Sequence, residues 1–262
     1  MADERTQSEQ WLFVAALSVL GATFVWQMLG DPESPPPPPP TPVVPETIIE
    51  PKVYLATPGG LYSTDELNYF REVAFGSEHE SITEKIRKWT SDVNIRIEGD
   101  PSAEDLVAVK SIAEQINSLQ DQVHLSIGYF DTSLVIQFAP QSRFEQLHTK
   151  YRRGNPGFFF VAWIEEEIYR GTILIDTEDT NQAVRNALIT EELTQALGLM
   201  NTSNRYSNSI FNDDHILPEL GLSDMDETML KMLYRPAIIP GMDVTEAMEI
   251  LRGIMPPQTK DS

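Results

Sequence analysis

"TEELTQALGLMN", residues Thr190 to Asn201, reads as the end of a helix followed by a change of direction. The apolar spacing upstream starts that helix near Asn181 and carries it to Leu199, with Gly198 supplying the left-handed residue that stops it. Glu191 and Gln195 are four positions apart and share a face. Glu191 and Glu192 point about 100° apart around the helix, so they do not form a glycosidase carboxylate pair by themselves.

Outward from this helix, the sequence orders itself into an α+β domain with a mixed sheet. Ser63 to Phe75 has a capping serine or threonine, early acids and helical apolar spacing. "DVNIRIEG" alternates Val93, Ile95 and Ile97 with polar residues and predicts a strand with one buried face. From Pro101 an amphipathic helix sets Leu106, Val109, Ala113, Ile116 and Leu119 in one stripe. Strands follow from Val123 and from Ser133. The apolar run Phe158 to Asp176 is too long for one strand and predicts a hairpin turning near Glu165 to Glu167. Ser223 with Asp226 three places on is an acidic capping box opening another helix, and a short helix follows "PGMD".

A zinc-protease helix of the long form reads H-E-x-x-H-x-x-G-x-x-H. Two imidazoles one turn apart face the metal, the glutamate activates water, and the glycine turns the chain toward a third histidine. On that frame Glu191, Glu192, Gln195, Gly198 and Asn201 take the defined positions: the base and the glycine remain, and all three imidazoles are replaced. Downstream, "NSIF" with Ser209, Ile210 and Phe211, and "LSDMDETMLKMLY", are similar to the turn and helix that follow the site in metzincins. The chain resembles that clan in fold. It most closely resembles the bacterial domain-of-unknown-function 2927 family, which shares "EELTQALGL", the Ser209 to Phe211 turn, "LYRP" at Leu233 to Pro236 and "PGM" at Pro240 to Met242. The resemblance covers roughly Lys52 to the end and implies a zincin-like domain without an established activity.

Glu192 is the one candidate catalytic group, by position alone. Glu191, Gln195 and Asn201 occupy degenerate metal positions, and carboxylate with amide oxygens is a poor zinc set, so no metal and no cofactor are expected. These groups read better as a hydrogen-bonded network replacing the metal as the link between helix and turn. Of four histidines, His79, His124, His148 and His215, only His215 follows the motif closely enough to enter the site, and one histidine cannot replace three.

The N-terminus supplies a location. Residues 11–29, "WLFVAALSVLGATFVWQML", are uncharged and as a helix would be about 28 Å long, enough to cross a bilayer. The run exceeds a signal core and no A-x-A site follows it, which favours an uncleaved anchor over a signal peptide. Arg5 precedes it and the next base is Lys52, which places residues 1–10 in the cytoplasm and the domain in the periplasm or outside the cell, on a single-pass anchor in the cytoplasmic membrane. Residues 30–50, with six consecutive prolines, form a polyproline spacer, and the metzincin-like domain occupies residues 51–262.

Net charge is −21; residues 1–50 hold seven acids against one base, leaving −15 for the rest, a surface that repels nucleic acid. There is no cysteine, hence no disulfide or thiol chemistry. The function expected is a protein- or peptide-binding pseudoprotease, with "WIEEEIYRG" (Trp163 to Gly171) as the strand beside the cleft. The alternatives are a hydrolase rebuilt around Glu192 and a structural subunit of a membrane complex.

Overall fold

The computed structural model describes residues 61–75, 85–212 and 221–253. The chain divides into two units, Met1–Lys52 and Val53–Ser262, and every described residue belongs to the second. The anchor and spacer expected within residues 11–50 lie outside the described residues, among which no helix is long and apolar enough to cross a membrane.

Helix α1 (Thr64–Ala74) opens with a capping box between Ser63 and Glu66. A two-residue strand, β1 (Lys88–Trp89), follows, then β2 (Val93–Gly99), where Val93 and Ile95 are buried while Asn94 and Arg96 are half-buried. Helix α2 (Ala103–Leu119) starts at a box between Ser102 and Asp105. Leu106 leaves the expected stripe: it is 43% exposed, and its neighbour Asp105 is buried instead because it is bonded from several sides. Strands β3 (Leu125–Ile127) and β4 (Leu134–Ala139) precede a short helix α3 (Phe144–Leu147).

Strands β5 (Gly157–Ile164) and β6 (Glu167–Asp176) are the expected hairpin. The turn residues Glu165 and Glu166 have φ of 51° and 67°, the pair of positive angles of a two-residue turn usually made by Asn-Gly. Two interactions hold this costly turn: the Arg87 guanidinium bonds Glu166 at 2.5 Å and stacks 3.8 Å over the Trp163 ring. Helices α4 (Gln182–Gln195), α5 (Asp224–Leu233) and α6 (Val244–Leu251) complete the described elements.

The sheet is mixed, as expected, but mostly parallel. β3, β2, β4 and β6 run side by side in parallel, and β5 is antiparallel to β6 at the edge. β1 pairs with Glu167 and Ile168 on the β6 edge that β4 uses further along. Parallel neighbours need a crossover, and α2 supplies one between β2 and β3, so the domain mixes α and β elements more closely than an α+β order predicts. The main core joins Ile95, Ile136 and Ile173 of the sheet to Val109 and Ile112 of α2 and Ile189 and Leu193 of α4. A smaller cluster of Phe144, Tyr151, Phe158 and Leu174 packs under the segment before β5, each large side chain contributing roughly 1.5 to 3 kcal/mol.

Candidate functional site

The motif helix α4 is fixed at both ends. At its start, the Asn181 side chain accepts from the Val184 amide at 3.0 Å. Asp105 of α2 then receives Arg185 at 3.0 Å and Gln182 at 2.8 Å. Burial would raise the Asp105 pKa, but the bonds from Ser102, Gln182 and Arg185 outweigh it and hold the carboxyl below its ordinary range.

At its end the regular helix stops at Gln195, earlier than Leu199, because the chain tightens: Leu197 N bonds Thr194 O and Gly198 N bonds Gln195 O. Gly198 has φ 123°, and a Cβ there would collide with the Arg87 carbonyl, so only glycine fits. The carbonyls left over are capped from a distance. Trp89 Nε1 donates to Ala196 O and the Tyr234 hydroxyl to Leu197 O, both at 2.9 Å, and burial pushes the Tyr234 pKa up. Beside them, buried Lys88 donates to Leu233 O at 3.0 Å, its pKa lowered by desolvation to about 8.

Glu192 and Gln195 face inward, only 4% and 1% exposed, while Glu191 and Asn201 are half-buried. The Glu192 carboxylate lies against Gly157, where any Cβ would strike Oε1; the glycine at the start of β5 makes room for the acid. Asn201 is tied elsewhere. Its Nδ2 donates to Glu72 O at 2.7 Å and its backbone amide to Val73 O at 3.1 Å, so the segment after α4 is linked through Asn201 to the end of α1. These positions do not suit zinc: they offer carboxylates and amides, with Asn201 held at the end of α1. Among the described residues no three His, Asp or Glu side chains gather as ligands.

The turn Ser209–Ile210–Phe211 is buried and centred on Asp226. Ser209 Oγ donates to Asp226 at 2.5 Å and accepts from the Tyr69 hydroxyl at 2.6 Å, while Ser223 N and Oγ and Ile210 N donate to the other carboxylate oxygen. Burial raises the Asp226 pKa against the pull of those bonds. The capping-box pattern pointed to Asp226 as a helix cap; its second role, joining α1 to the turn, depends on Tyr69, which is 157 positions away and carries no signal in the sequence. Glu72 and Arg205 form an ion pair nearby, with Ser203 bonding Glu72 at 2.6 Å.

Of the histidines, His79 and His215 lie outside the described residues. His124 is exposed just before β3, and His148 packs on Phe158 and Phe160, with burial lowering its pKa. With β3 at the opposite edge, the edge strand on the β6 side of the sheet is Gly157–Ile164. Of the expected stretch Trp163 to Gly171, only Trp163 and Ile164 lie on it, because Glu167 to Gly171 run inside the sheet between β5 and the β1 and β4 side.

Comparison with known proteins adds a family. No curated protein matches the chain. Two structures of myroilysin are similar at low identity: one is 11% identical over 58% of this chain and 86% of that chain with a TM-score of 0.38, the other 10% identical over 58% and 83% with a TM-score of 0.35. The family described as "Protein of unknown function (DUF2927)" matches residues 64–253, and with most of its length so matched the chain belongs to that family.

Proposed function

We propose that the domain is a metzincin-like pseudoprotease that binds an extended peptide or protein segment by strand addition to the outer edge of β5. In this reading residues 11–29 hold it by a single span in the cytoplasmic membrane, and residues 30–50 space it away on the periplasmic or outer side. One observation carries the reading: β5 is an eight-residue edge strand, "GFFFVAWI", without a charge or a proline. Proteins usually protect such an edge with lysine, proline or a short strand, and an unprotected one is a template for pairing. The three glutamates that would give that protection sit at the hairpin tip instead, with Glu166 engaged by Arg87 and Glu167 by Thr90. A register shift between Ala162 and Trp163 twists the end of the strand, where Ile164 is 65% exposed, so the edge offered for pairing is Gly157 to Ala162. Glu192, deeply buried against Gly157, serves in this account to support the start of β5.

The test uses peptides selected for binding to the full-length chain in detergent. If binding is by strand addition, N-methylation of alternate peptide residues abolishes it while the intervening positions tolerate the change. Tolerance at every position overturns the reading. The anchor is tested separately by carbonate extraction of membranes, with the full-length chain expected in the pellet and recovery in the supernatant contradicting it.

A further inference from the structure

On the sheet face away from α2 and α4, a pocket of about 440 Å³ is lined by Arg96, Tyr129, Asp131, Thr132, Arg170 and Thr172, among others. Arg96 pairs in register with Val135, and Val135 with Thr172, so the three stand in one row across β2, β4 and β6. They alternate with Ile95, Ile136 and Ile173, which point into the helical core. The volume suits a ligand the size of one sugar ring.

Its polar groups are incompletely used. Arg96 Nη2 bonds Glu98 at 2.7 Å, yet its Nε is buried without a partner, as is Thr132 Oγ1. Arg170 has no ion pair among the described residues. Neither the Arg96 Nε nor the Thr132 Oγ1 reaches the surface, so the groups that a bound molecule meets are the half-exposed Arg96 side chain, the exposed Arg170 and the exposed Asp131. Two guanidinium groups recognise a carboxylate. In a chain of net charge −21, two arginines line this one pocket, and Arg170 is the one without an ion pair among the described residues.

The remaining lining residues narrow the class. Asp131, held at φ 49°, places a carboxylate in the same pocket, where it disfavours a second negative charge and accepts from a hydroxyl. Tyr129, 82% exposed, offers a ring face at the mouth for the apolar side of a sugar. We propose that this pocket binds a small hydroxylated carboxylate of the sugar-acid type, its carboxylate toward Arg96 and Arg170 and its hydroxyls toward Thr172 and Asp131. This site is independent of the β5 edge.

The experiment is calorimetry and saturation-transfer NMR on the full-length chain in a detergent without sugar head groups, using glucuronate, glucose and inorganic phosphate as probes. Glucuronate is expected to bind, with glucose and phosphate each at least about tenfold weaker. Arg170→Gln and Thr172→Val are each expected to weaken glucuronate about tenfold while leaving the melting temperature of the chain in place. Glucose binding as tightly as glucuronate removes the carboxylate from the account. Phosphate binding equally well reduces the pocket to a general anion site, and no glucuronate binding at millimolar concentration, or binding untouched by both variants, overturns the proposal outright.

Discussion

In the helical layer Asp105, Glu192, Gln195 and Asp226 are all at most 4% exposed, and Asp105 and Asp226 each accept several bonds, whereas across the sheet Arg96 and Thr132 keep buried donors that nothing meets. Polar residues in the first region are tied down and closed off; in the second they line an open pocket. A buried polar group stabilises only when its partners are fixed, so the first arrangement suits a support. An exposed cation without a fixed partner, as Arg170 is among the described residues, suits a binding surface. The motif helix and the working surfaces are therefore separate in this account, and substitutions in the two regions should differ in what they change.

The largest expected effect is at the joint between α2 and α4. Asp105→Ala leaves Arg185, only 14% exposed, without its carboxylate, and a broken buried pair typically costs about 3 to 5 kcal/mol. Denaturant unfolding of the full-length chain measures it; a loss near zero would remove the claim that this region is built for support. Gln195→Ala removes a fully buried amide and should cost about 1 to 3 kcal/mol. A melting temperature equal to the parent's would show that the motif position is idle.

A smaller effect is tied to pH. The bonds from Arg205 hold the Glu72 carboxyl below its ordinary value, reinforced by Ser203 against the opposing effect of burial. A lowered carboxylate contributes stability above its unfolded pKa and loses it as pH falls through the folded value. Since the Glu72 side chain is 35% exposed, solvent screening limits this to about 1 kcal/mol or less. Glu72→Gln should flatten the acid side of a melting-temperature profile, and an unchanged acid slope would show that the pair adds nothing. The smallest effect belongs to the open region: Arg170→Gln should leave stability within about 0.5 kcal/mol of the parent, and a larger loss would make the pocket part of the support after all.

Local chemistry was readable in the sequence. The cap before Glu66, the Ser223 cap and the Asn181 start of α4 are set by neighbours within a few positions, and the hairpin turn at Glu165 and Glu166 and the glycine at Gly198 are legible locally although distant Arg87 completes both. What could not be read depends on distant partners. Nothing near Asp105 in the sequence marks it as buried, because its partners Arg185 and Gln182 are about eighty positions away. β1 is two residues long and exists only through Glu167 and Ile168. The stretch Trp163 to Gly171 predicts an edge that the structure has on β5, because alternation does not reveal which arm of a hairpin has a second neighbour. At the motif itself, spacing identified Glu192 and Asn201, but only packing sends one against Gly157 and the other to the end of α1.

The most direct measurement is native mass spectrometry of the full-length chain released from detergent micelles, beside the Gln195→Ala variant. The account predicts the bare polypeptide mass for both, because the motif positions serve as structural supports. One zinc per parent chain that is lost in Gln195→Ala would contradict it, and would make the motif helix a metal site after all.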